Sequence, residues 1–385
     1  MHDLAVELAD LEQQGLRRHR RLLDSQQGAH VRVAGRDYLS FCSNDYLGLA
    51  ADPRIAEAAV ESIRNLGLGA GASHLVSGHH RIHDELEQAL ARFVQLPRAL
   101  LFSSGYLANV AVVTVLAGRS SDVIADRLNH ASLNDAMILS RARCQRYAHC
   151  DLAALESFLA RSDAADKVVI TDAVFSMDGD IAPLSDIARL CERYAAWLVV
   201  DDAHGFGVLG KSGAGALSHF GLESAHIAYV GTLGKAAGVS GAFVAGSVQL
   251  IELLIQRART YIYTTASPPA LAAALMKSIE IMGAEQWRRH RLFELSAQIS
   301  RKLELRRWRL LASQTAIQPL IVGENAETVA LSDALASEGI LVPAIRPPTV
   351  PKGSARLRIS LSAAHTETDV DLLIETLRRA EASFS

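Results

Sequence analysis

Trp197-Leu198-Val199-Val200-Asp201-Asp202-Ala203-His204-Gly205 reads as an apolar strand that runs into two carboxylates and an imidazole. Open α/β sheets place their ligands beyond the carboxyl ends of such strands, so Asp201 and His204 stand where chemistry is expected. A second apolar run at 227–230 leads into Gly231-Thr232-Leu233-Gly234-Lys235-Ala236-Ala237-Gly238. The glycines let the backbone turn sharply and keep the space around the amine open. An amine so placed is partly desolvated, loses its proton more readily, and can attack an aldehyde. Lysines in loops are by default solvated, so chemistry at Lys235 has to be argued from what the rest of the chain supplies.

Outward from these two stretches, 99–102, 122–126, 144–148, 167–171 and 240–246 read as further short strands with helical segments between them. That rhythm predicts a mostly parallel sheet with helices on both faces. The intervening helices include 53–66, with Pro53 in its first turn, and 82–94, whose apolar face is Ile82, Leu86, Leu90 and Phe93. The chain opens with a helix carrying Leu4, Leu8 and Leu11. The reading ends it in Arg17-Arg18-His19-Arg20-Arg21, where cations suit the negative end of the helix dipole. A short strand at 38–42 follows. A long charged helical region at 281–305 leads to strands at 316–322, 341–344 and 356–361. The expected organisation is an N-terminal helix and short strand at 1–46, a large α/β domain at 47–281, and a small α+β domain at 282–385.

The chain has 385 residues, 49% of them hydrophobic and 21% charged, enough for a sizeable core in one large and one smaller domain. A net charge of -3 gives no general attraction to nucleic acid or to anionic membrane, so any anion site must be local. Neither nucleic acid nor membrane is an expected partner. Cys42, Cys144, Cys150 and Cys191 show no C-x-x-C spacing and are sparse, which favours reduced thiols in a cytoplasmic protein. The most apolar window, 99–118, is broken by Ser103, Ser104, Gly105 and Asn109 and reads as core rather than as a membrane span.

Two stretches imitate nucleotide-binding motifs. Gly67-Leu68-Gly69-Ala70-Gly71-Ala72 satisfies a dinucleotide fingerprint, but a helix leads into it where a strand is required. Gly205-Phe206-Gly207-Val208-Leu209-Gly210-Lys211-Ser212 fits G-x-x-x-x-G-K-[ST] letter for letter and keeps a P-loop nucleotidase as a distant alternative. Against it, Asp201 and Asp202 would repel phosphates, and Gly213 and Gly215 follow where a helix should begin. A better anion cradle is Ser103-Ser104-Gly105-Tyr106, which opens a helix and offers unpaired N–H groups. By composition alone it is equally a capped helix with no ligand.

A lysine for an aldehyde, an acid that keeps a pyridine nitrogen protonated and an imidazole near a ring hydroxyl make the kit for pyridoxal 5'-phosphate. With Ser43-Asn44-Asp45-Tyr46-Leu47-Gly48, Asn129-His130-Ala131-Ser132 and Val174-Phe175-Ser176-Met177-Asp178-Gly179 in order along it, the chain resembles the α-oxoamine synthases. These are fold-type I transferases that condense an amino acid with an acyl thioester and release carbon dioxide. The resemblance implies a large, mostly parallel sheet domain flanked by helices and a smaller α+β C-terminal domain.

It also implies roles. Lys235, His130, Asp201 and His204 become the catalytic set, and Gly105, Tyr106, Ser176, Thr232, Thr264 and Thr265 join them as cofactor contacts. Thr264 and Thr265 are then donated across a homodimer interface. Arg17, Asn44, Arg346, Thr349 and Arg358 fall to the substrates, with Arg358 on the amino-acid carboxylate. Arg356 shares a strand face with Arg358 and reads as a surface arginine. The stretches Ile345-Arg346-Pro347-Pro348-Thr349-Val350-Pro351 and His74-Leu75-Val76-Ser77-Gly78-His79 look like those of the biotin-pathway member. That member takes L-alanine with pimeloyl-CoA or a pimeloyl-carrier protein; glycine C-acetyltransferase is the alternative.

Overall fold

In the computed structural model, which describes residues 3–384, the chain forms two compact units. The larger comprises 49–176 and 181–287; the other comprises 1–48, 177–180 and 288–385, so both chain ends contribute to it.

The larger unit is organised by a seven-stranded sheet. In spatial order its strands are Arg98–Phe102, Ala242–Gly246, Ile227–Thr232, Ala196–Asp201, Lys167–Asp172, Asp122–Asp126 and Arg143–Tyr147. All run parallel except Ala242–Gly246, which is antiparallel to both of its neighbours. The strands Asp122–Asp126 and Ala242–Gly246 are buried at every position, as strands covered on both faces must be. Helix Pro53–Leu66 starts where expected, with Asp52 accepting from the Arg54 N–H and Pro53 in the first turn. Helix Arg81–Phe93 buries His83, Leu86, Leu90 and Ala91, one stripe at helical spacing. Helix Gly105–Leu116 is apolar nearly all round and lies in the core, its Val110, Val112 and Val113 buried in one cluster with Leu133 and Val199.

The other unit holds a three-stranded and a four-stranded sheet. In the first, His30–Val33 and Arg36–Ser40 form a hairpin through Ala34 and Gly35, both at positive φ as a tight primed turn needs. Ile340–Leu341 pairs parallel with Arg36–Ser40. In the second, Ala355–Ser360 lies between Ile317–Gly323 and Ala344–Ile345. The predicted strand at 341–344 is thus two short strands in different sheets, parted at Pro343, which has no N–H to give to a ladder.

Two helices differ from the reading. The first ends at Gln13, followed by Gly15 at φ 63°, so Arg17-Arg18-His19-Arg20-Arg21 lie beyond it and the helix-dipole argument does not apply to them. The long region predicted at 281–305 is two helices, Pro269–Ala284 and Trp287–Lys302, interrupted at Glu285. Among the described residues no helix is long and apolar enough to cross a membrane, and the four cysteines are free thiols.

Candidate active site

Strands Ala196–Asp201 and Ile227–Thr232 are parallel neighbours with Asp201 opposite Val230, so both deliver their following loops to one edge of the sheet. Lys235 sits in the turn that joins Ile227–Thr232 to the reversed strand Ala242–Gly246. Its Nζ lies 2.8 Å from His204 Nε2, and the residue is half-buried. Gly231 and Gly238 make the approach possible. A Cβ on Gly231 would stand 2.4 Å from the Phe243 ring, and one on Gly238, at φ 69°, would meet the Ala50 backbone at 2.6 Å.

Asp201 is buried, and both carboxylate oxygens are held: Oδ1 accepts from the Ala203 N–H at 3.0 Å and Oδ2 from Asn109 Nδ2 at 2.6 Å. The same Asn109 nitrogen lies 2.9 Å from Ser132 Oγ, and Ser132 Oγ lies 2.7 Å from His130 Nδ1. His130 caps helix Ala131–Ser140, its backbone N–H given to the buried carboxylate of Asp172 at 2.8 Å. Packed protein around one side of the imidazole holds its pKa below the ordinary histidine value; the Asp201 charge opposes that shift and the Lys235 charge adds to it. Burial pushes the Asp172 carboxyl well above the usual range, and the Asp201 charge pushes it further.

At the start of helix Gly105–Leu116, Ser104 Oγ accepts from the Leu107 N–H at 3.3 Å. A first turn has no intrahelical acceptors for its N–H groups, so those of Gly105 and Tyr106 point outward, and a Cβ at Gly105 would meet nothing within 4 Å. Open space above donor groups at a positive helix end suits an anion. The donor set thus fits pyridoxal phosphate: an amine beside an imidazole, a buried carboxylate locked by an amide, and an anion cradle, all carried by one unit. Thr232 Oγ1 donates to the Gly241 carbonyl at 3.3 Å, and Ser176 is half-buried just past the strand Lys167–Asp172. Thr264 and Thr265 stand between helices Arg259–Ile262 and Pro269–Ala284, with Thr264 Oγ1 3.5 Å from the Thr265 carbonyl.

The P-loop look-alike is ruled out by its own carboxylate. Residues 203–215 form turns, and the helix after them, Ala216–Phe220, gives its first N–H to Asp202 Oδ2 at 2.7 Å. Burial raises the Asp202 carboxyl to about 7, and Tyr229 OH donates to the same oxygen at 2.8 Å. Asp202 fills the place a phosphate would need. The glycine-rich loop at 67–72 is entered from a helix and followed by the single turn His74–Gly78, the wrong framing for a dinucleotide.

In the other unit, Arg358 and Asn44 are brought together. Arg358 Nη1 donates to Asn44 Oδ1 at 3.1 Å and to Ser360 Oγ at 2.7 Å, and Nη2 lies 3.4 Å from Tyr46 OH. Arg356 is no surface arginine: it is buried and donates to Asp178 Oδ1 at 2.7 Å and to the Met177 carbonyl at 2.9 Å. Arg17 and Arg346 both line a cavity of about 1190 Å³. Arg17 pairs with Glu12 at 3.1 Å, Arg346 donates to the Gly15 carbonyl, and Thr349 Oγ1 accepts from Arg18 at 3.5 Å. Sequence reasoning gave no part to Asn109 or Ser132. The signal for Asn109 was present, a lone amide inside the apolar run 107–113, where a buried polar group calls for a partner.

The profile of the aminotransferase class I and II family matches residues 36–377. The chain is 57% identical to 8-amino-7-oxononanoate synthase of Nitrosomonas europaea over 98% of both chains, and 57% identical to that of Aromatoleum aromaticum at the same coverage. Among solved structures it superposes on serine palmitoyltransferase from S. paucimobilis with a bound PLP-myriocin aldimine, at TM-score 0.93 and 28% identity, covering 99% of this chain and 97% of that one. It also superposes on 8-amino-7-oxononanoate synthase from Francisella tularensis, at TM-score 0.77 and 30% identity, covering 90% of this chain and 99% of that one. The chain belongs to the aminotransferase class I and II family, within its group of 8-amino-7-oxononanoate synthases.

Proposed function

We propose that the protein is a pyridoxal phosphate-dependent acyltransferase of biotin synthesis. It joins L-alanine to a pimeloyl thioester, on coenzyme A or on a carrier protein, and releases 8-amino-7-oxononanoate, carbon dioxide and the free thiol. The carrying observation is the 2.8 Å approach of Lys235 to His204 at the sheet edge that also holds Asp201. Relatives of that name at 57% identity support the substrates.

When bound, the cofactor supplies an electron sink for the charge left on the alanine Cα. The chain's residues do the rest. Lys235 Nζ would hold the cofactor through its aldehyde carbon and, with the amino acid bound, would take the Cα proton. Asp201, fixed by Asn109 and the Ala203 N–H, would keep the ring nitrogen protonated. His204 would hold the ring hydroxyl, with Ser176 beside it, and His130 would lie against the ring and bond to the thioester carbonyl. The N–H groups of Gly105 and Tyr106 take the phosphate, with Thr232 and, from the partner subunit of a homodimer, Thr264 and Thr265. Arg358, steadied by Asn44, takes the amino-acid carboxylate. Arg17, Arg346 and Thr349 belong to the acyl path. The free thiols fit a cytoplasmic enzyme.

The test is direct. Purified protein loaded with pyridoxal phosphate should show a visible absorption band and should turn over L-alanine with pimeloyl-CoA. Absence of the band defeats the cofactor assignment, and turnover only with glycine and acetyl-CoA moves the protein to the glycine C-acetyltransferases.

A further inference from the structure

We infer that Asn109 is a positioning residue for the reaction: through Ser132 and directly, its one amide nitrogen fixes the tautomer of His130 and the orientation of the Asp201 carboxyl. The inference rests on the reading of this site as a pyridoxal phosphate site.

The amide cannot be turned round. Its nitrogen lies 2.6 Å from Asp201 Oδ2 and 2.9 Å from Ser132 Oγ, and flipping it would set a carbonyl against the Asp201 carboxylate. Asn109 is fully buried, and its Oδ1 has no partner among the described residues. A buried amide normally uses both ends. Here the acceptor end is left over, and the donor end decides the placement.

With the amide fixed, the direction of the remaining bonds follows. Asn109 donates to Ser132 Oγ, so the Ser132 hydroxyl is free to donate onward to His130 Nδ1 at 2.7 Å. The Ser132 backbone N–H also points at that Nδ1, at 3.3 Å. With two donors aimed at it, Nδ1 is an acceptor, and the imidazole carries its proton on Nε2. His130 is thereby set to donate from Nε2, the orientation needed to bond to a carbonyl oxygen. At the other end, the second Asn109 N–H bonds to Asp201 Oδ2 at 2.6 Å and holds that carboxyl in one rotamer. The charged groups around His130 are Asp201, Asp172, Asp135 and Lys235, and none of them is the partner of its Nδ1. The chain Asp201–Asn109–Ser132–His130 thus ties the acid expected at the ring nitrogen to the imidazole expected on the ring face, across helices Gly105–Leu116 and Ala131–Ser140. The pattern is that of a ligand oriented by its outer partners, whose loss costs function without removing a reacting group.

The test uses holoenzyme of wild type, Asn109→Ala, Ser132→Ala and the double variant. Two quantities are read: the pH dependence of the bound cofactor's visible absorbance, and the rate at which the L-alanine Cα proton exchanges with solvent deuterium. Asn109→Ala should bind cofactor yet exchange roughly tenfold or more slowly, the usual cost of a hydrogen bond to a charged group. Ser132→Ala should exchange more slowly by a smaller factor and move the midpoint of the absorbance titration. The double variant should be no slower than Asn109→Ala alone, because both act through one chain. Exchange losses that simply multiply, or an Asn109→Ala enzyme with wild-type exchange and an unmoved titration, overturn the inference and leave the cofactor assignment intact. If Asn109→Ala does not fold, Ser132→Ala decides alone: an unmoved titration with unchanged exchange refutes the chain. A wild type with neither band nor exchange sinks both readings.

Discussion

In the proposed function Lys235 and Asp201 divide the chemistry between them, so their removal should fail in different ways. Lys235→Ala should keep the fold and hold pyridoxal phosphate weakly, with no turnover; activity within tenfold of wild type would refute its role. Asp201→Asn keeps shape but not charge. It should bind the cofactor and slow Cα-proton exchange by about a hundredfold or more, checked by deuterium incorporation into L-alanine. These two residues and His204 were legible in the sequence because each is polar and stands where an apolar strand gives out. Asn109 stood out as a lone amide in an apolar run but its role did not, since its partner Asp201 lies 92 positions away and only the packing of helix Gly105–Leu116 against the sheet reveals the contact. Arg356 was misread for a similar reason: its acceptors, Asp178 and the Met177 carbonyl, are distant in sequence, and a buried arginine looks like an exposed one until its partner is seen.

At the scale of elements, the strand that precedes Lys235 has no spare room. Gly231 faces Phe243 on the neighbouring strand, and that ring is wedged against Phe206 and Tyr229 at centroid distances of 5.0 and 5.8 Å. Gly231→Ala should therefore cost about 1–3 kcal/mol of stability and weaken cofactor binding, and adding Phe243→Leu should recover part of both, measured by chemical denaturation and cofactor titration. The edge strand Arg98–Phe102 makes a different demand. The N–H of Leu101 has no strand beside it and donates to Glu87 Oε1 at 3.0 Å, where burial raises the carboxyl from 4.5 to about 7. An acid whose folded pKa is raised favours folding below its unfolded value, and that contribution is lost as pH rises through the folded one. Glu87→Gln keeps an acceptor without the charge. Its stability relative to wild type should thus be flat below about pH 4, climb through the window up to about pH 7, and level off at a gain of about 1–3 kcal/mol, followed by thermal melts across pH. Strand positions were readable from apolar runs, but the reversed direction of Ala242–Gly246 was not, because a run buried on both faces looks the same whichever way it points.

For the whole molecule, the homodimer expectation has a sharp consequence. If Thr264 and Thr265 complete the partner's phosphate site, an inactive Lys235→Ala chain and an inactive chain lacking both threonine hydroxyls should regain activity when dissociated, mixed and reassembled. Hybrid dimers carry one intact site, so recovery should approach roughly a quarter of wild type. No recovery, with hybrids present by mass, would place those hydroxyls elsewhere. The division of the chain bears on how it is made. Residues 49–287 hold all of the larger unit, whereas the other unit needs both 1–48 and 288–385. On the ribosome the larger unit is complete well before synthesis ends, while the Arg36–Ser40 strand, made first, must wait for Ile340–Leu341 to emerge and lie beside it. A segment made early is thus secured late, and a nascent chain stalled before residue 340 would leave that strand's edge open to other chains.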